Sequence, residues 1–150
     1  MNFWDSSAIL PLLVREPTSE ATRSYLRLHA EIAIWWATPV ECLSALARKE
    51  REGRLNLQQM IAAEKNLALI IRSAVCIAPT DRVRGIAQRL LRRYPLRAAD
   101  SLQLAAASVL AGDAPQDYSF ICNDARLTLA ASKEGFEVVT FSEEPDSDIL

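Results

Sequence analysis

The sequence has few of the residues on which nucleophilic and zinc-dependent enzymes depend. It has one histidine, His29, and three widely spaced cysteines, Cys42, Cys76 and Cys122. A single histidine far from the predicted strand ends argues against a Ser-His-Asp or Cys-His site. An odd number of scattered cysteines argues against a disulfide framework or a cysteine-rich zinc site, and favours a reducing cytoplasm.

Long apolar runs and glycine-rich loops are also missing. No run approaches the roughly 20 apolar residues of a membrane span, so we expect no membrane association. Asp5 and Arg15 interrupt the one apolar segment near the start, so we expect no signal peptide. The patterns GxSxG, GxxxxGK[ST] and GxGxxG do not occur among the four glycines.

Charge is distributed unevenly along the 150 residues. The net charge is −2, but residues 143–150 alone hold four acids, and the remainder is slightly positive. Fourteen of the 17 basic residues are arginine, whose planar fork binds phosphate, although a coding bias would give the same excess. We predict one globular domain, residues 1–142, and a loose acidic tail, residues 143–150.

Short apolar segments alternate with longer segments of helical period. Between Thr80 and Pro95 the apolar residues recur at i, i+3, i+4, i+7 and i+8, which predicts an amphipathic helix. The alternation predicts an α/β fold with a parallel sheet covered on both faces. The predicted buried strands are residues 2–4, 32–37, 75–78, 118–122 and 137–141.

Four acids occur where such a sheet would present them together. Asp5, Glu41 and Asp124 follow predicted strands, and Asp100 opens a helix. Ligands of open parallel sheets bind outside the carboxyl ends of the strands. Carboxylates brought together there repel one another unless they share protons or bind a cation, and oxygen ligands select Mg²⁺ or Mn²⁺. Such a site suits phosphodiester hydrolysis.

Each acid also has a purely structural interpretation. Asp5 can cap the helix that follows it. The segment TPVE, residues 38–41, has the pattern of a capping box in which Glu41 is the reciprocal acid. Asp100 suits a helix N-terminus, and Asp124 suits an Asx turn.

Four segments together resemble the PIN domain, and most closely the VapC-type ribonuclease toxins of toxin–antitoxin pairs. The acids Asp5, Glu41, Asp100 and Asp124 fall on the family's acidic positions. The segments are DSSAILPLLVREPTSE, TPVECLSALARKEREGRL, LRAADSLQLAAA and FICNDARLTLAASKEGFEVV.

The resemblance implies a three-layer α/β/α sandwich with a central parallel sheet of about five strands over residues 1–142. It implies a Mg²⁺- or Mn²⁺-dependent endoribonuclease that hydrolyses RNA, dimerises and is silenced by a cognate antitoxin. Asp5 and Asp100 would be the principal metal ligands, completed by Glu41 and Asp124. Ser7 is expected to hydrogen-bond the ligands. Cys122 replaces a common Thr or Ser, so Asn123 is expected to supply the missing hydrogen bond.

RNA binding requires positive charge near the acids. Arg82, Arg89 and Arg93 lie opposite the apolar stripe of their helix, and Arg97 precedes Asp100 by three residues. We predict that these four arginines bind RNA phosphates, with a solvated helix face as the alternative.

Other functions remain open at this point. A PIN nuclease for RNA processing without an antitoxin, or a non-catalytic RNA-binding module, would have the same pattern. Phosphoryl-aspartate proteins also place Asp at strand ends, but the DxD pattern is absent after Asp5.

Overall fold

A single five-stranded parallel sheet forms the centre of the computed structural model, which describes residues 1–142; the predicted acidic tail lies outside the described residues. Its strand order is β3-β2-β1-β4-β5. The strands are β1 Asn2–Trp4, β2 Ile32–Trp35, β3 Val75–Ile77, β4 Ser119–Ile121 and β5 Glu137–Val139. The predicted α/β class and the number of strands are confirmed.

Helices cover both faces of the sheet. They are α1 Ser6–Leu13, α2 Ser19–Leu28, α3 Thr38–Arg51, α4 Leu57–Ser73, α5 Asp81–Arg93, α6 Ala98–Ala111 and α7 Ala125–Lys133, with a short 3₁₀ turn at Pro115–Asp117. Residues of α5, α6 and α7 pack in one hydrophobic cluster, and residues of α1, α3 and α4 in another. The three-layer α/β/α arrangement predicted from the sequence is therefore present.

Strand β1 joins the two clusters because successive side chains of a strand point to opposite faces. Phe3 and Trp4 are both fully buried, Phe3 in the first cluster and Trp4 in the second. Phe3 stacks on Phe120 of β4 with 5.5 Å between ring centroids. Truncation of either aromatic to alanine would cost about 3–5 kcal/mol, so β1 is held rigidly in the middle of the sheet.

The topology reverses next to β1. From β1 the chain builds outward through β2 to β3, then returns to the other side of β1 to form β4 and β5. The crevice at such a switch point, outside the carboxyl ends of β1 and β4, is the expected ligand site of this architecture. Asp5 immediately follows β1, and Asp124 lies three residues after β4.

Four strands, β2 to β5, are shorter than predicted, and the edge strands β3 and β5 are less buried than predicted. Strand β2 ends at Trp35, and Trp36 is 57% exposed. Strand β3 is an edge strand, and its Val75 and Cys76 are exposed because only β2 lies beside it. No helix among residues 1–142 combines the length and the apolar character that a membrane crossing requires.

Candidate active site

Asp5 is a buried carboxylate at the carboxyl end of the central strand. Its backbone N–H extends the β1–β4 ladder by donating to the Ile121 carbonyl at 3.0 Å, and its side chain is 3% exposed. The Ser7 amide donates to Asp5 Oδ2 at 3.1 Å, and the Ser7 hydroxyl donates to the same oxygen. Asp5 is thus the N-cap of α1, and burial raises the pKa of its carboxyl despite these hydrogen bonds.

Glu41 lies in the first turn of α3 and has a different partner from the one its sequence suggests. The capping box is not formed, because the N-cap is Ala37 and no side chain caps the helix. The Gln103 amide instead donates to the Thr38 hydroxyl oxygen at 3.0 Å and to Glu41 Oε2. Burial raises the pKa of Glu41 to about 7, and the negative charges of Asp5 and Asp100 act in the same direction.

Gln103 is a functional candidate that sequence reasoning missed. It is fully buried on α6, one turn after Asp100, and its Oε1 has no hydrogen-bond partner among the described residues. A polar residue within the apolar run SLQLAAASVL was the available signal. Its partners on α3 are not readable from the sequence, because they lie more than 60 residues away.

Asp100 and Asp124 stand at the N-termini of neighbouring helices. Asp100 is half-buried in the first turn of α6, and Asp124 caps α7 by accepting from the Leu127 amide at 2.9 Å. Burial raises the pKa of Asp100, and the charges of Asp124 and Asp5 add to the effect, whereas Arg97 opposes it. The mutual influence of these carboxyls shows that the switch point concentrates negative charge.

Ser7, Cys122 and Asn123 connect the strand ends around Asp5. The Asn123 amide donates to Ser7 Oγ at 3.0 Å, and Asn123 Oδ1 accepts from the Phe141 amide at 3.0 Å. Cys122 Sγ lies 3.5 Å from Asp5 Oδ2 and accepts from the Asp124 amide at 3.3 Å. Cys122, at the position where a Thr or Ser was expected, thus contacts Asp5 itself. The Asn123 side chain instead binds the backbone of the segment after β5. Burial raises the pKa of the Cys122 thiol to about 12, which keeps it protonated.

The donor chemistry of this site fits a hard divalent cation. Asp5, Glu41, Asp100 and Asp124 offer only oxygen, and charges within the group help to raise the pKa values of Glu41 and Asp100. Within residues 1–142, however, no three acid, cysteine or histidine side chains stand close enough to form a ready-made metal cage. Mg²⁺ keeps several waters and binds through one or two carboxylates, so this looser arrangement remains compatible with it.

Two arginines share a cleft with two of the acids. The cleft has a volume of about 460 Å³ and is lined by Pro95, Arg97, Ala99, Asp100, Asp124, Ala125 and Arg126. Arg97 was predicted at this site. Arg126 was not, although it lies within the fourth family-like segment, two residues after Asp124.

The other predicted RNA-binding arginines lie elsewhere. Arg82 and Arg89 are exposed on α5 and line a groove with Ser108 and Gly112 at the far end of α6. Eight residues of helix separate Asp100 from Ser108, which corresponds to about 12 Å. Arg93 is also exposed and lies 3.3 Å from Glu134. These three arginines form a surface distinct from the cleft beside Asp100.

Solved structures share this architecture. PAE2754 from Pyrobaculum aerophilum superposes with a TM-score of 0.66 at 18% identity, over 91% of this chain and 89% of that one. FitAcB from Neisseria gonorrhoeae gives 0.62 at 18% identity, over 95% and 98%. FitAB bound to an IR36 DNA fragment gives 0.64 at 17% identity, over 93% and 94%. No family model and no curated protein matches the chain. The likeness identifies the fold as PIN-like.

Proposed function

We propose that this protein is a metal-dependent endoribonuclease and the toxin of a toxin–antitoxin pair. The observation that carries the proposal is Asp5, a buried carboxylate at the switch point with Glu41 and Asp100 in electrostatic range and a raised pKa. A buried carboxylate that only capped a helix would have no reason to be surrounded by further acids. A bound cation would neutralise these carboxylates and so account for their proximity.

The metal would be held by Asp5 and Asp100, with Glu41 and Asp124 completing the site directly or through water. When bound, a divalent cation lowers the pKa of water and stabilises charge on a phosphoryl group. The chain's own contribution is to hold the carboxylates in place. Ser7 fixes Asp5, Gln103 fixes Glu41, and the N-terminus of α7 fixes Asp124.

The partners follow from the sequence resemblance and the fold. A cognate antitoxin and a homodimer belong to the proposal as properties of the family that the sequence resembles. The similar FitAB structure contains a DNA fragment, so proteins that share this fold occur in nucleic-acid assemblies. For this chain the proposed substrate is RNA.

Cleavage of RNA by purified protein tests the catalytic part. We expect Mg²⁺- or Mn²⁺-dependent cleavage that stops with a chelator and is lost in Asp5→Asn and Asp100→Asn. Parental rates in either variant, after removal of contaminating nuclease, would refute the four-carboxylate site. RNA binding without cleavage would favour the non-catalytic module.

Expression in cells tests the toxin part. Growth arrest that is relieved by the product of a neighbouring gene, together with mapped RNA ends, would support a toxin. An active nuclease that leaves growth unchanged would instead indicate an RNA-processing enzyme without an antitoxin.

A further inference from the structure

Arg97 and Arg126 come from different helices and line the same cleft as Asp100 and Asp124. Arg97 is the N-cap residue of α6, and Arg126 is the second residue of α7. Both side chains are exposed, and both line the cleft of about 460 Å³. That volume lies within the range of about 300–1,000 Å³ typical of small-ligand sites.

The helix dipole gives no reason for arginine at these two positions. The positive end of the helix dipole lies at the N-terminus, so a cation there is unfavourable by itself. Neither arginine forms an ion pair in the part of the chain that the structure describes. By contrast, Arg84 and Arg93 on α5 pair with Asp81 and Glu134. The two cleft arginines therefore retain their guanidinium donors for a ligand.

The ligand that suits these donors is an anion that binds in the cleft beside Asp100 and Asp124. A phosphate beside Asp100 and Asp124 would be repelled unless positive charge faced it. Arginine supplies that charge together with a planar fork that matches phosphate oxygens. Helix N-termini also attract anions, and both arginines lie at the start of a helix.

We propose that Arg97 and Arg126 form a clamp on an RNA phosphate next to the scissile one, and so place the strand against the carboxylates. This inference rests on the proposed nuclease function and names the residues that position its substrate. The clamp is separate from the α5 groove of Arg82 and Arg89, which lies at the other end of α6. Arg126 has a role here that its sequence position alone did not indicate.

Variants at the clamp test the proposal by binding as well as by cleavage. For Arg126→Ala and Arg97→Ala we expect KM for an RNA oligomer to rise about tenfold, because a hydrogen bond to a charged group is lost, with a smaller change in kcat. The slope of log affinity against log salt should shrink by about 0.7 for each lost phosphate contact to a single strand. Arg126→Lys should recover part of the affinity, since it keeps the charge but not the fork.

Arg84→Ala is the matched control. Arg84 is an exposed arginine of α5, outside both the cleft and the predicted RNA-binding set, and its pair with Asp81 is a surface contact at 3.5 Å. We expect unchanged KM, salt slope and melting temperature in this variant. Equal effects of Arg84→Ala and Arg126→Ala would overturn the clamp, because they would reduce it to general surface charge.

The remaining outcomes separate the clamp from the proposed function. Unchanged KM and salt slope in both clamp variants of an active nuclease would overturn the clamp alone. A parent protein that cleaves no RNA, but binds a labelled oligomer with an Arg126-dependent salt slope, would overturn the nuclease and the placement beside a scissile phosphate, and would support only the contact of Arg126 with an RNA phosphate. A parent protein that neither binds nor cleaves RNA would overturn both.

Discussion

The side-chain amide of Gln103 on α6 donates to the carboxylate of Glu41 on α3, 62 residues away along the chain. The same nitrogen donates to the Thr38 hydroxyl oxygen, so one buried amide ties the start of α3 to the helix that carries Asp100. Loss of a group that orients a metal-binding side chain typically costs about 10- to 100-fold in metal affinity or activity. Gln103 is therefore the clearest link between the packing of this protein and its proposed chemistry.

Replacement of Gln103 by methionine should weaken metal binding. The variant preserves side-chain length but removes the donor that holds Glu41, so we expect Mn²⁺ affinity to fall about 10- to 100-fold. Titration calorimetry or electron paramagnetic resonance would measure it. Thr38→Val is the matched control, because it removes the other partner of the amide and leaves Glu41 in place. An equal loss in both variants would show that packing, and not the orientation of Glu41, sets the affinity.

Asp5→Asn should abolish RNA cleavage and stabilise the metal-free fold. Asn caps helices as well as Asp does, so the hydrogen bond from the Ser7 amide can persist while the buried charge disappears. We expect loss of cleavage and a higher melting temperature than the parent at pH 8 in chelator. Asp5→Ala, which also loses the cap at a cost of about 1 kcal/mol, should melt below Asp5→Asn. A melting temperature of Asp5→Asn below the parent would contradict an unfavourable charge at Asp5.

The metal-free protein should lose stability as pH rises from 4.5 to about 7. These values are the ordinary pKa of the Glu41 carboxyl and its pKa in the fold, which burial raises. Between them the folded protein holds a proton that the unfolded chain has released, so each increase in pH favours unfolding. The stability that protonated Glu41 contributes is fully present below pH 4.5 and is lost above about pH 7. Denaturant titrations of the parent and Glu41→Gln across this window should converge at low pH and diverge at high pH, with the variant the more stable. Parallel curves would refute the shift.

Divalent cations should stabilise the folded protein even without RNA. An ion that binds only the folded state adds about 2.7 kcal/mol when present at 100 times its dissociation constant. We expect Mg²⁺ or Mn²⁺ to raise the melting temperature of the parent at pH 8, and a chelator to reverse the rise. Asp5→Asn should show little response. An equal rise in Asp5→Asn would mean that the cation binds away from Asp5.

The sequence by itself determined the class of fold and the candidate residues of the site. Apolar segments that alternate with helical periods are local patterns, and they suffice to place Asp5, Asp100 and Asp124 at element boundaries. The same local pattern offered a capping box as the structural alternative for Glu41, and that box is not formed, because TPVE has the right spacing but the partner of Glu41 is distant. It also treated residues 75–78 as buried, although strand position in the sheet is not encoded in a four-residue pattern.

Tertiary structure decided which of these residues meet. Strand order brings Asp5 beside the segment after β4, and α6 and α3, whose residues belong to different hydrophobic clusters, meet where Gln103 donates to Glu41. It also sends Arg82 and Arg89 to one end of α6 while Arg97 and Arg126 face Asp100 at the other. Short-range propensities act within a few residues, whereas these contacts join segments tens of residues apart. They arise only when burial of the two hydrophobic clusters sets the helices against the sheet.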